Sequence, residues 1–158
     1  MKSVLILVTI IAVLAVGFAL GYYFGFDIGF EKGVEEDMQA NKAEVPEPGV
    51  FESDVLKVDT PLAGSKISSP VTVSGQAVGP WFFEASFPVD VTDSDGNILG
   101  QGFVQAQSEW MTTDFVPFEG EVTFGPTTDT NGFIVFRKDN PSGLPEHDDS
   151  RIMPVSFE

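Results

Sequence analysis

The feature that most constrains the fold is an alternation of apolar and polar residues that begins just after Trp81 and Phe82. Its odd positions are apolar and its even positions, apart from Pro88, are polar, through Phe83, Glu84, Ala85, Ser86, Phe87, Pro88, Val89, Asp90 and Val91. Successive side chains of a β-strand point to opposite faces. The run therefore predicts a central strand of a half-buried sheet, with an apolar inner face and an acidic outer face.

Six further short apolar runs follow residue 53 and are separated by turn-forming residues. The seven predicted strands are Val55–Asp59, Val71–Val78, Phe82–Asp93, Asn97–Ala106, Phe115–Phe124, Phe133–Lys138 and Met153–Phe157. Seven strands without a helical window among them predict an all-β fold, an antiparallel immunoglobulin-like β-sandwich of about seven strands. The chain has no cysteine, so apolar packing alone must hold this sandwich together.

The N-terminal part has a different pattern. Residues Val4 to Phe26 include no charged side chain, and at about 1.5 Å per residue a helix of this length spans a bilayer core. Lys2 precedes the run and acidic residues dominate after it, which predicts a cytoplasmic N-terminus and an extracytoplasmic C-terminal domain. A cleaved signal peptide ending near Gly17 is the alternative, but the apolar run continues well beyond that glycine.

These patterns divide the chain into three parts. Residues 1–26 form the predicted transmembrane signal anchor, 27–53 a juxtamembrane helix with an acidic, Pro-containing linker, and 54–158 the sandwich. The predicted location is the cytoplasmic membrane, crossed once.

Glycines recur at every fourth position from the anchor onward, at Gly17, Gly21, Gly25, Gly29 and Gly33. This spacing aligns them on one helix face, where another helix can approach closely. The pattern predicts association of the membrane helix, either with a second copy or with another membrane protein. The common occurrence of glycine in membrane helices is the simpler explanation.

The charge of the chain restricts its partners. Asp and Glu number 24 against 8 Lys and Arg, giving a formal net charge of −16. Such a surface repels phosphate backbones, so we expect no nucleic-acid binding. No motif indicates a cofactor.

Catalytic and metal-binding patterns are weak. The chain has one histidine, His147, and a Ser142–His147–Asp148 group would lie in a polar segment with the features of an exposed loop. The segment from Asp93 to Asn97 offers oxygen ligands for Ca²⁺, but its Asp-Gly pair is a stronger signal for a hairpin turn. We therefore expect neither an enzyme nor a metal site.

Aromatic residues at the start of the opening strand are the candidates for partner contact. Strict alternation places Phe83 in the core and directs Phe82 outward, with Trp81 at the strand's start. We predict a partner-binding surface from Trp81, Phe82, Glu84 and Trp110. Alternatively, these aromatic rings cap the ends of the core.

Several motifs together resemble the bacterial spore-germination immunoglobulin-like domain, a family that often accompanies a GerM-type domain. They are Ser69-Pro70-Val71-Thr72-Val73-Ser74-Gly75, Trp81-Phe82-Phe83-Glu84-Ala85, Asp95-Gly96, Trp110-Met111-Thr112, Phe115-Val116-Pro117-Phe118 and Asp139-Asn140-Pro141-Ser142-Gly143-Leu144-Pro145-Glu146. The resemblance covers roughly Val55 to Phe157. It implies a non-catalytic bacterial module that binds a protein or cell-wall partner at the envelope. An accessory membrane subunit that assembles through its glycine face is the alternative.

Overall fold

The computed structural model describes residues 47–158, and the predicted membrane helix and its glycine series lie outside them. No helix within residues 47–158 is long and apolar enough to cross a membrane. The described region is built from strands, with two single-turn 3-10 helices at Gly79–Trp81 and Pro145–His147.

Nine strands form in the described region. They are β1 Gly49–Glu52, β2 Leu56–Ala63, β3 Lys66–Ile67, β4 Val71–Val78, β5 Ser86–Asp93, β6 Ile98–Ala106, β7 Phe115–Val122, β8 Asn131–Arg137 and β9 Ser150–Phe157. All seven predicted strands occur. Two short strands escaped prediction, because β3 has only two residues and β1 lies in the segment assigned to the linker.

The strands form one hydrogen-bonded sheet in the order β1-β2-β4-β7-β6-β5-β8-β9-β3. All neighbours are antiparallel except β3 and β9, which are parallel. The sheet curls at β6, which pairs with β5 along most of its length and with β7 near its C-terminal end. Two halves, β1-β2-β4-β7 and β5-β8-β9-β3, thereby face each other as in a sandwich.

Aromatic rings fill the space between the two halves. Phe118 on β7 lies 5.1 Å from Phe87 on β5 and 6.3 Å from Phe136 on β8, measured between ring centroids. Val73, Val104 and Met153 are fully buried around them. The all-β fold predicted from the strand pattern is confirmed for the described residues.

The opening strand differs from its prediction at its start. β5 begins at Ser86, and a tight turn at Glu84 and Ala85 interrupts the alternation. Phe87, Val89 and Val91 face the core as predicted, whereas Phe83 is 42% exposed and Phe82 is buried. The assignment of Phe83 to the core and Phe82 to the outside was therefore wrong, because the two residues precede the strand whose period was applied to them.

The outer face of β5 also differs from its prediction. Asp90 and Thr92 are buried rather than exposed. β5 lies between β6 and β8, so side chains on both neighbouring strands flank its outer residues. The alternating pattern identified a strand but not that side chains of the flanking strands bury Asp90 and Thr92.

Candidate functional site

Three segments meet at one end of the sandwich, and we call this the loop end: residues 79–85, 107–114 and 138–149. They connect β4 to β5, β6 to β7 and β8 to β9. Glu47, the first described residue, lies at the opposite end, since Gly49 pairs with Ala63 at the far end of β2. The loop end is therefore the part of the sandwich farthest from where the chain enters it.

Trp81 and Phe82 form the floor of the loop end. Their rings pack edge-on against Phe87, with centroids 5.9 and 5.1 Å away, and both side chains are buried. The guanidinium of Arg151 lies 5.6 Å from the Trp81 ring centroid, a cation–π distance. Asp149 and Asp54 accept hydrogen bonds from the same guanidinium. Two of the four predicted contact residues therefore support this surface from below.

A strained turn displays the next two side chains. The backbone amides of Phe83 and Ser86 each donate to the other's carbonyl, at 3.0 and 3.1 Å, across the two-residue turn Glu84-Ala85. Glu84 has φ +49° and Ala85 has φ +63°, as in a type I′ turn, where Asn-Gly is the favoured pair. The turn holds Phe83 and Glu84 at the surface.

The 107–114 segment closes over the first 3-10 helix. A Cβ on Gly79 would lie 1.9 Å from the carbonyl oxygen of Thr112, so only glycine permits this approach. Trp110 is half-buried against the core, and Met111 is 74% exposed. A shallow open depression lies between this segment and the first 3-10 helix. It is lined by Gly79, Pro80, Phe82, Trp110, Met111, Thr112 and Thr113.

Acidic groups flank this apolar surface. Burial, together with the nearby charge of Glu84, raises the pKa of Asp139 above its ordinary value. The amide of Asp139 also donates to the carbonyl of Trp81 at 3.0 Å, which ties the 138–149 segment to the floor. The loop end thus combines exposed apolar side chains with two neighbouring carboxylates.

A buried ion pair lies on the outer face of β5. The carboxylate of Asp90 accepts from Arg137 Nε at 2.5 Å and from Gln101 Nε2 at 2.9 Å. Asp90 is fully buried, whereas the Arg137 side chain is 42% exposed. Arg137 therefore pairs with Asp90.

Ser142 and His147 meet in an exposed loop. Ser142 Oγ lies 3.0 Å from His147 Nδ1 and donates to Asn140 Oδ1 at 2.5 Å. Which of Ser142 Oγ and His147 Nδ1 donates in this contact depends on the imidazole tautomer. Asp148 accepts from the Asn140 amide, and the whole group is exposed.

The Asp93 carboxylate serves a turn. It accepts from the amides of Asp95 and Asn97 and from the Asn97 side chain, all within 2.9 Å. Burial raises the pKa of Asp93, but these hydrogen bonds and one from Gly96 outweigh it, and the pKa is lowered. Residues 47–158 contain no group of three His, Asp or Glu side chains arranged to hold a metal ion.

Comparison with known proteins gives one match. The model of the family described as the immunoglobulin-like domain of bacterial spore germination matches residues 55–144, more than half of the chain. No curated protein and no solved structure matches it.

Proposed function

We propose, starting from the family to which this chain belongs, that it displays its domain outside the cell membrane and binds a protein partner there. The chain belongs to the family of immunoglobulin-like domains of bacterial spore germination. The observation that carries the proposal is the chemistry of the loop end. Phe83, Met111 and Leu144 are exposed large apolar side chains on its three segments. Exposed aromatic and methionine side chains over a rigid floor are typical of protein-binding surfaces.

The strained turn supports the same surface. A non-glycine residue with positive φ costs free energy, and the turn has two in succession. Strain of this kind persists only where the surrounding structure imposes it, and it is concentrated at functional sites. We infer that Phe83, Glu84, Trp110 and Met111 contact the partner, while Trp81 and Phe82 keep the surface rigid.

Charge favours a protein over an anionic polymer. Residues 47–158 contain 18 acidic and 5 basic side chains. A partner with basic groups around an apolar patch gains from this field, whereas an anionic polymer is repelled. The carboxylates of Glu84 and Asp139 beside the apolar side chains suit such a basic rim.

The N-terminal sequence supplies the membrane part of the proposal. The uncharged stretch Val4 to Phe26 anchors the chain, with its N-terminus in the cytoplasm, and the described domain begins at Glu47. Within the described domain, Glu47 lies at the end opposite the loop end. Fractionation and protease protection of the intact chain test the anchor and its orientation.

The test of partner binding uses a photo-crosslinking amino acid in the full chain within native membranes. Placed at Met111, it should give a discrete adduct with a second protein. Placed at Val50, an equally exposed apolar residue outside the loop end, it should not. Adducts that are identical at the two positions, or absent from both, would overturn the proposal.

The glycine series supports a second function, an accessory membrane subunit that assembles through Gly17, Gly21, Gly25, Gly29 and Gly33. Here the sandwich acts as a spacer. Gly21→Ile with Gly25→Ile should abolish co-purification of the membrane partner, whereas a change at Met111 should not affect it. The reverse pattern would favour binding at the loop end.

A further inference from the structure

The outer surface of one half of the sandwich is apolar where a solvent-facing sheet is normally polar. The register places Pro88 beside Phe103, Asp90 between Gln101 and Val135, and Thr92 between Ile98 and Phe133. On the far side of β8, Val135 pairs with Ile152, and Phe133 pairs with Pro154. We call the seven apolar residues of this surface the outer apolar face: Pro88, Ile98, Phe103, Phe133, Val135, Ile152 and Pro154.

These residues do not belong to the main core. Phe133 and Val135 are buried, yet they lie outside the core cluster that includes their neighbours Ile134 and Phe136. Phe103 and Ile98 are more than half exposed, at 58% and 52%. The two short helices of the described region lie at the loop end, so neither of them covers this face.

The opposite half of the sandwich provides a contrast. On its outer surface Thr72 pairs with Glu121 and Ser74 pairs with Glu119, and the apolar residues Pro117 and Phe115 are confined to the other end of β7. Two copies of this half would bring like charges together. The outer apolar face has one charged pair, Asp90 with Arg137, and its two charges cancel.

We propose that the outer apolar face is a self-association surface that pairs with the same face of a second copy. In a domain with 18 acidic and 5 basic side chains, two copies repel each other wherever carboxylates meet. The electrostatic repulsion between two copies is therefore smallest when their charge-neutral faces meet. A two-fold symmetric contact needs only one such self-complementary patch.

The size of the face sets the strength of the contact. Four strands about 4.8 Å apart and three rows of side chains outline roughly 400 Å² per copy, of which Phe133 and Val135 expose almost nothing. This is below the roughly 800 Å² per partner of a standard stable interface. The pairing is therefore weak and depends on tethering, which raises the effective concentration of the second copy. Tethering in turn rests on the proposed membrane anchor.

The absence of cysteine makes the test direct. Single cysteines are introduced into the full chain at Ile152→Cys on the outer apolar face and, as a matched control, at Ser74→Cys on the opposite half. Both positions are half-buried strand residues. After treatment of isolated membranes with a short flexible bismaleimide, a covalent dimer should form with Ile152→Cys and not with Ser74→Cys.

A second substitution checks the chemistry of the contact. Phe103→Glu adds a like charge to each copy of the exposed face and should eliminate the Ile152→Cys dimer. Val50→Glu, at an exposed apolar residue on β1, should leave the dimer unchanged. Circular dichroism of both variants establishes that the fold is intact.

Three results would overturn the proposal: equal dimer yields at the two cysteine positions, a Phe103→Glu chain that still dimerises, or an Ile152→Cys adduct with a different protein only. Recovery of the chain in the soluble fraction would contradict the anchor instead. Crosslinking of the soluble Ile152→Cys chain at high concentration would still test whether the outer apolar faces pair. Failure of the anchor and failure of the pairing are therefore distinguishable.

Discussion

Asp90 holds a fully buried carboxylate on the outer face of β5, and its hydrogen bonds explain why this burial is tolerated. Arg137 supplies a charge and Gln101 supplies an amide, so both carboxylate oxygens have donors. A buried charge with a partner removed is costly because its desolvation is no longer offset. The local stability of the outer apolar face therefore depends on this pair.

Arg137→Met should lower the free energy of unfolding by about 2–3 kcal/mol, since Asp90 is left buried with one neutral donor. Asp90→Asn in the same chain removes the unpaired charge and should restore part of the loss. Urea unfolding of the two single variants and the double variant measures the coupling. Strictly additive losses would contradict the assigned pair, and Glu84→Gln should not couple to Arg137→Met.

The turn at Glu84 and Ala85 gives a second prediction for single residues. Ala85→Gly should raise the free energy of unfolding by about 0.5–1 kcal/mol, because glycine adopts positive φ without the strain of a Cβ. Ala106→Gly, the same exchange within β6, should lower it by a similar amount. Urea midpoints of the two variants should therefore move in opposite directions, and equal shifts would contradict the strained turn.

At the scale of elements, β5 and β6 are joined by a turn whose stability depends on the ionised Asp93. Its pKa is lowered in the folded state, so the unfolded chain takes up the proton first as pH falls. The stabilising contribution is complete well above the ordinary value of 3.8 and is lost as pH falls through the folded pKa. Asp93→Ala should lower the free energy of unfolding at pH 7. It should change this free energy little at a pH where the Asp93 carboxylate of the folded parent chain is protonated.

Chemical unfolding of the parent and Asp93→Ala chains from pH 7 to pH 3 tests this dependence. The difference between the denaturant midpoints of the two chains should decrease below pH 3.8, the ordinary pKa of an aspartate. A gap that stays constant over the whole range would show that the side chain stabilises the turn without its charge. Asp59→Ala, at an exposed β2 residue, serves as the control for a general loss of negative charge.

How much of each element the sequence predicts depends on how far a periodic rule applies. β4 was predicted with its observed bounds, because Val71, Val73 and Ala77 face the core without interruption. In β5 the alternation was extended across a turn that lacks glycine, asparagine and proline. It therefore assigned Phe82 to the outside and Phe83 to the core, the reverse of what the structure shows. The sequence did not identify Met111 as an exposed apolar residue, although it directly follows the candidate residue Trp110.

At the scale of the whole molecule, the pattern of strands predicts the fold class, but the curl of the sheet depends on contacts that no local pattern encodes. β6 joins the two halves where Gly120 approaches it closely: a Cβ on Gly120 would lie 2.6 Å from the carbonyl oxygen of Phe103. The covering of Asp90 likewise follows from strand order, since β8 is distant in sequence from β5. The buried ion pair was therefore beyond prediction.

The C-terminal strand allows a last prediction, because the family match ends at residue 144 and β9 begins at Ser150. β9 pairs with β8 over seven residue pairs and places Met153, Val155 and Phe157 in the core. Burial of each such side chain contributes about 1.5–3 kcal/mol. Their combined loss is comparable with the roughly 5–15 kcal/mol that stabilises a whole domain.

Deletion of residues 150–158 should therefore abolish cooperative unfolding, although the matched segment stays complete. Removal of Glu158 alone, which is exposed, should leave the urea midpoint nearly unchanged. Met153→Ala should fall between the two, with a loss of about 2–5 kcal/mol from the cavity it leaves. If the chain that lacks residues 150–158 still unfolds cooperatively, the domain core is complete without β9, and this prediction is wrong.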